Sequence, residues 1–373
     1  MDKRQTLSAS GESLLAKRLH AVGRTLGTPV SGTFELTAGC NFNCRMCYVH
    51  DPGVRPGGRG ELTADQWLAI GRQAADAGTV FLLLTGGEPL LRPDFAEIYT
   101  GLKRLGLVLS INTNGSLLTG ETAALLERDP PMRLNVSLYA ADAAGYESLC
   151  GADAFSRVRE NILRMRDAGV PVKLNVSFTR QNAHDCEAIA SLARDWGLHC
   201  KAASYMFPAA RRAGSNADAR LTPAQCASLR LRWERATGRE DAIRTSAAML
   251  ARMRDRSCDE ETAGEGVRCR AGSTAFWIDH TGRMLMCGQI PAGGGSVPAD
   301  GFGPCWQRVR EMAARVATPA KCAGCALRGV CSVCPAACYA ETGAFDEAPA
   351  YLCEMSRCLA RELADYDAGG EDV

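Results

Sequence analysis

From residue 33 to residue 206 short apolar segments alternate with helical patterns, and this alternation constrains the fold more than any other feature of the chain. Six segments read as strands: residues 33–37 (TFELT), 79–85 (TVFLLLT), 107–113 (LVLSINT), 132–138 (MRLNVSL), 172–178 (VKLNVSF) and 199–205 (HCKAASY). Several are continuous runs of Val, Leu and Ile, as parallel strands covered on both faces require. Between them the spacing predicts helices over Thr63–Ala77, opened by the capping pair Thr63 and Gln66, and over Pro93–Leu105, Thr119–Glu127, Phe155–Ala168 and Ala183–Trp196. The alternation implies an α/β chain whose parallel sheet closes, or partly closes, into a barrel. Six strands are too few for an eight-unit barrel, so a partial (β/α)6 barrel is expected.

The first strand runs into GCNFNCRMCYVH, residues 39–50, which gathers Cys40, Cys44 and Cys47 at the strand's carboxyl end. Barrel enzymes place their chemistry at that end. Three thiolates on a four-coordinate metal leave one position open, and His50, three residues after Cys47, would close it as structural zinc. Such a zinc site does not explain the glycines that come after the second strand, in Gly86-Gly87-Glu88-Pro89. Glycines there let the backbone approach a ligand, and a carboxylate can accept from a positive amine.

Together, Cys40-x3-Cys44-x2-Cys47, the GGEP string and the barrel order resemble the radical S-adenosylmethionine (SAM) enzymes over roughly residues 30–206. The resemblance implies a TIM-like partial barrel, a [4Fe–4S] cluster on Cys40, Cys44 and Cys47, and SAM chelating the open iron. It makes those cysteines catalytic, and it implies SAM contacts from Gly86, Gly87, Glu88 and Pro89, from Asn112, Thr113 and Asn114 after the third strand, and from Ser137 after the fourth. Relatives carry an aromatic residue just before the third cysteine, near the adenine; here it is Met46, whose polarizable side chain can pack there together with Tyr48.

Eighteen cysteines without an export signal point to thiolate ligands in preference to disulfides. Cys269-x12-Gly282-x4-Cys287, then Cys322-x2-Cys325-x5-Cys331-x2-Cys334, then Cys353, resembles the SPASM domain, a carboxyl-terminal extension with two auxiliary [4Fe–4S] clusters. The family arrangement implies one cluster on Cys258, Cys269, Cys287 and Cys334 and an outer one on Cys322, Cys325, Cys331 and Cys353, three clusters in all. The gap before Cys334 is one residue shorter than usual, with Cys338 and Cys358 as spare ligands. A zinc ribbon is the alternative for this region. Cys150, Cys186, Cys200 and Cys226 lack partner spacing and read as core residues; Cys150 and Cys305 are the thiols to consider as hydrogen-atom donors.

The expected organisation is a helical leader at 1–29, the barrel at 30–206, a helical linker at 207–255, the SPASM domain at 256–362 and a tail at 363–373. Within it, the run AGGGSVPADGFG is expected to loop over or beside the active site. With 43 basic and 42 acidic residues the net charge is +1, so no whole-chain field selects nucleic acid or an anionic membrane. No apolar run spans a bilayer and the start lacks a secretory signal's apolar region, so a cytoplasmic protein is expected.

By resemblance, the reduced cluster cleaves SAM to methionine and a 5′-deoxyadenosyl radical, which abstracts hydrogen from the substrate. SPASM relatives mostly modify ribosomally made peptides or proteins, forming crosslinks or oxidised residues. A peptide or protein is therefore the expected substrate, with a one-electron donor such as flavodoxin or ferredoxin. Either a separate protein presents the peptide or the barrel and SPASM surfaces recognise it. Sulfatase-maturing relatives have an acidic residue directly after the cysteine matching Cys287; here it is Gly288, which speaks against that activity. The alternatives are a small-molecule dehydrogenase or cofactor-biosynthesis enzyme with the same radical initiation, and a non-catalytic iron–sulfur protein, against which the GGEP string argues.

Overall fold

The computed structural model describes residues 14–49, 51, 53–209, 216–254 and 269–368. His50 and Cys258 lie outside the described residues. All six expected strands form: β1 (Ser31–Glu35), β2 (Phe81–Thr85), β3 (Val108–Thr113), β4 (Arg133–Ser137), β5 (Val172–Ser177) and β6 (Cys200–Ala203). They pair in parallel in sequence order. On the other side of β1 the sheet continues through β7 (Ala275–Ile278), β8 (Arg283–Leu285) and β9 (Gly293–Ser296) in the order β6-β5-β4-β3-β2-β1-β7-β8-β9.

The helices are α1 (Leu14–Leu26), α2 (Ala64–Asp76), α3 (Phe95–Arg104), α4 (Gly120–Arg128), α5 (Ala143–Cys150), α6 (Phe155–Asp167), α7 (Cys186–Asp195), α8 (Pro223–Ala236), α9 (Glu240–Arg254), α10 (Val297–Asp300), α11 (Phe302–Ala314), α12 (Ala320–Ala323), α13 (Pro335–Thr342) and α14 (Ala350–Ala368). Helix α2 opens on a complete capping box, in which the Thr63 hydroxyl accepts from Gln66 N and the Gln66 side chain accepts from Thr63 N. The segment expected as one helix from Ala183 begins as a 3-10 turn, Ala183–Asp185, before α7. The linker region forms α8 and α9; α8 packs between α7 and α14 and so belongs to the folded body. No helix among the described residues is long and apolar enough to cross a membrane.

Two features escaped the sequence. Helix α5 follows β4, and its last carbonyls, otherwise without helical partners, accept from the cysteine loop: Asn43 N donates to Cys150 O at 3.0 Å and Arg45 N to Leu149 O at 3.1 Å. The run AGGGSVPADGFG does not cover the active site as expected. It forms β9 and the way into α11, with Phe302 N donating to Gln73 Oε1 on α2 at 2.9 Å. Its glycines are needed for close packing, since a Cβ on Gly293 would stand 2.3 Å from Met284 O and one on Gly294 2.3 Å from Cys305 O.

The parallel pairing of β7 with β1 joins the carboxyl-terminal region to the barrel sheet, and it rests on a glycine. Gly32 lies opposite Phe276, whose ring would be 2.2 Å from a Cβ at that position. Gly32→Ala is expected to cost about 1–3 kcal/mol through overpacking, read as a fall in unfolding midpoint. Gly303→Ala, where a Cβ meets open space, should change stability by less than about 0.5 kcal/mol. Equal midpoints for the two variants would refute this account of the join.

Candidate active site

The loop after β1 is pinned from below. The Arg92 guanidinium donates to Leu36 O and Leu62 O, each at 2.8 Å, and pairs with Asp94 at 2.7 Å and with Glu61 at 3.4 Å. Glu61 accepts in turn from Ala38 N at 3.0 Å and Gly57 N at 2.7 Å. Above this base the turn Cys44–Cys47 is closed by Cys47 N donating to Cys44 O at 3.1 Å. The loop is tied to the third strand's end, where Asn114 donates to Asn41 Oδ1 at 2.9 Å and Asn41 donates to Ser116 Oγ at 2.9 Å.

Cys40, Cys44 and Cys47 stand in the wall of one cavity of about 380 Å³, open at its mouth, at the carboxyl ends of the strands. The same wall takes Thr85, Gly86 and Gly87 from the end of β2, Asn112 and Asn114 from β3, and Asn135, Ser137 and Tyr139 from β4. Asn175 and Ser177 from β5, Tyr205 beyond β6 and Gln289 from the carboxyl-terminal region complete it. Met46 and Tyr48 also line it, Met46 only 7% exposed. Asn135 donates to Asn112 Oδ1 at 2.9 Å, so amides of neighbouring strands form a row along the inner face. The buried Oε1 of Gln289 has no hydrogen-bond partner among the described residues.

In GGEP the glycines face the cavity and the acid does not. Gly86, at φ +155°, and Gly87 pack so closely on the cysteine loop that a Cβ would lie 2.4 Å from Thr37 O and 2.3 Å from Gly39 O, respectively. Glu88 is fully buried and does not line the cavity. Its carboxylate accepts from Asn114 N at 2.7 Å, Thr113 Oγ1 at 2.8 Å and Leu90 N at 3.1 Å, which makes it a brace between the second and third strand ends. Pro89 starts a 3-10 turn and is likewise outside the cavity wall. The residues that the sequence did not single out, Asn135, Asn175, Tyr205 and Gln289, lie on the same inner face or at its rim. A period-two reading of β4 and β5 finds Asn135 and Asn175.

Burial pushes the Cys40 thiol up to about 12, opposed by a hydrogen bond from Phe42 N and reinforced by Glu88, Cys44 and Cys47. Cys40 is therefore a neutral thiol until a metal displaces its proton. Phe42 N at 3.4 Å and Asn114 Nδ2 at 3.9 Å both donate to its sulfur, the kind of contact that supports a thiolate on iron. No three His, Cys, Asp or Glu side chains among the described residues converge as one metal ion requires.

The later cysteines follow the same plan. Cys322, Cys325, Cys331 and Cys353, the four cysteines of the expected outer set, line a single cavity of about 160 Å³. A second cavity, of about 80 Å³, is lined by Cys269, Cys334 and Cys338; Cys287 is not in its wall. Cys150 and Cys305 are completely buried in the core and line no part of the active-site cavity, which leaves neither in a position to donate hydrogen to a substrate there. Cys186 and Cys200 are core residues, and Cys226, also buried, donates to Ser204 O at 3.0 Å.

The Radical SAM superfamily profile matches residues 34–193. The chain is 29% identical over 337 residues to the AdoMet-dependent heme synthase of Methanosarcina barkeri, spanning 85% of this chain and 94% of that protein. In structure it is similar to SuiB of Streptococcus suis bound to S-adenosylmethionine, with TM-score 0.65, 18% identity and coverage of 91% of this chain and 81% of SuiB. It is also similar to native anSMEcpe with bound AdoMet, with TM-score 0.65, 14% identity and coverage of 91% and 100%. At these identities the two structures establish the fold.

Burial lifts the Glu88 carboxyl to about 7 from an ordinary 4.5, against the three hydrogen bonds it accepts. The folded chain then keeps a proton that the unfolded chain has lost, so this group's contribution to stability falls as pH rises from about 4.5 through 7. Glu88→Gln is expected to remove that part of the slope and to cost about 1–3 kcal/mol, because its amide NH₂ must face a donor. Urea unfolding of both proteins across this pH range checks it. Identical slopes would show that Glu88 does not titrate there.

Proposed function

Since the chain is a radical SAM enzyme, its radical SAM domain spanning residues 34–193, we propose that it modifies a ribosomally made peptide or protein, forming a crosslink or an oxidised residue after hydrogen abstraction. Cys40, Cys44 and Cys47 would hold a [4Fe–4S] cluster, which would supply the electron for reductive cleavage of SAM. Gly86 and Gly87, packed against the cysteine loop, would present their backbone to the methionine moiety, and Asn114 and Ser137 offer polar contacts further along the wall. Met46 and Tyr48 pack on the adenine. Glu88 and Pro89 act from behind, by holding the glycine turn against Asn114.

The observation that carries the peptide reading is the chemistry of the remaining wall. Asn112, Asn135, Asn175 and Gln289 line the cavity, and among its described lining residues there is no Asp, Glu, Lys, Arg or His. An amide side chain pairs with a peptide group through one donor and one acceptor, and the buried Gln289 oxygen awaits a donor. The structure of SuiB with the precursor peptide SuiA adds that a protein of this fold accommodates such a substrate. The carboxyl-terminal cavities would hold two auxiliary clusters, the outer one on Cys322, Cys325, Cys331 and Cys353. A flavodoxin or ferredoxin would supply electrons.

A second reading, a cofactor-precursor enzyme, is favoured by the similarity to a heme synthase along 94% of that protein's length. Mass spectrometry of the anaerobic, reduced enzyme with SAM and the peptide encoded beside its gene separates the two readings. Loss of hydrogens from the peptide supports the first; unmodified peptide alongside a converted small molecule supports the second.

The triple variant Cys40→Ala, Cys44→Ala, Cys47→Ala is expected to form no 5′-deoxyadenosine while keeping about eight of roughly 12 irons per chain. Chromatography of the nucleoside and an iron assay measure both quantities. Continued SAM cleavage would sink the assignment of the radical-initiating site.

A further inference from the structure

The cavity walled by Cys269 and Cys334 has a third thiol that the motif spacing does not demand. Cys334 is the N-cap of α13 and Cys338 lies one turn later, with Cys338 N donating to Cys334 O at 3.0 Å. Cys334 itself is extended, at φ −141° and ψ 162°, and Cys338 lies in the first turn of the helix that begins at Pro335. Both thiols, with Cys269, line the same cavity, as do Val333 and Phe345. Cys338 is only 1% exposed. Arg328 and Val333 belong to the walls of both carboxyl-terminal cavities, so the two sites are immediate neighbours.

The other spare cysteine is placed differently. Cys358 packs with Leu231, Ile243 and Leu363 in a separate apolar cluster, within 3.6 Å of Glu354 and 3.1 Å of Arg361. It lines neither cavity.

We propose that Cys338 is a ligand of the inner auxiliary iron–sulfur cluster, bound together with Cys269 and Cys334, the other two thiols in the wall of this cavity. The proposal rests on the reading of the carboxyl-terminal cysteines as cluster ligands. It gives the inner site three described thiols without Cys287, whose place in the chain is next to the active-site residue Gln289.

The test uses the full-length chain, reconstituted anaerobically with iron and sulfide, followed by iron analysis and electron paramagnetic resonance of the dithionite-reduced protein. Wild-type protein is expected to bind roughly 12 irons, Cys338→Ala about eight with loss of one auxiliary signal, and Cys358→Ala the full complement with an unchanged spectrum. Full iron and an unaltered spectrum in Cys338→Ala would overturn the proposal, as would loss confined to Cys358→Ala. If the alanine variant does not fold, Cys338→Ser, nearer in volume, is read by the same two measurements. Wild-type protein carrying zinc, or only about four irons, would refute the underlying cluster reading itself and is thereby distinguished from a wrong ligand.

Discussion

The buried Arg92 guanidinium holds the carbonyls of Leu36 and Leu62 and the carboxylates of Asp94 and Glu61 at a single point under the active site. A buried charge of this kind is tolerated because every partner is present; removing one costs about 3–5 kcal/mol. The three-cysteine loop hangs from this point through Leu36, Ala38 and Gly39. Onto the same backbone press Gly86 and Gly87, with Gly87 N donating to Thr37 O at 2.8 Å and Glu88 N to Gly39 O at 3.0 Å. Two loops from different strands thus share one hydrogen-bonded base.

The carboxyl-terminal region is built onto this base rather than beside it. Strand β7 continues the sheet, and its Trp277 donates to the fully buried Glu35 of β1 at 2.9 Å. The Trp277 ring then fixes the path of the chain beyond the β7–β8 hairpin, since a Cβ on Gly288 would fall 2.8 Å from it. An acidic side chain at position 288 is incompatible with that packing, which gives a steric reason for the glycine. The chain that passes over Trp277 delivers Gln289 to the cavity. Sheet continuation, a tryptophan and a glycine therefore determine which residue this region contributes to the site.

Much of the barrel was legible because its signals are local. A continuous apolar run marks β2 and apolar–polar alternation marks β3 to β5, while Thr63 with Gln66 marks the start of α2 within one residue. The first strand was read two residues late, because Leu36 and Thr37 are as buried as a strand but have already turned into the loop. Helix α5 and the β1–β7 pairing were not legible. The first has a weak apolar stripe, and the second joins segments more than 240 residues apart, which no local pattern encodes. Motif spacing marks the three-cysteine loop and the four later cysteines that share one cavity, but it does not say where the Glu88 carboxylate points. A motif records that a carboxylate is needed but not whether its oxygens point to a ligand or, as here, to Thr113, Asn114 and Leu90.

Two hydroxyls among the described lining residues of the cavity have a carboxylate partner, Thr113 with Glu88 and Tyr205 with Glu341. Tyr205 donates to Glu341 Oε1 at 2.9 Å. Glu341 is itself paired with Arg220, and the guanidinium sits 4.4 Å from the centre of the Tyr351 ring and 5.9 Å from that of Tyr205. Both members of the ion pair are largely shielded, so solvent screens the pair far less than an exposed one. Glu341 lies on α13 with Cys338, and Tyr351 lies on α14 two residues before Cys353. The tyrosine at the substrate end of the barrel and the helices bearing the carboxyl-terminal cysteines are consequently held by the same ion pair, so a displacement of either is resisted by the other.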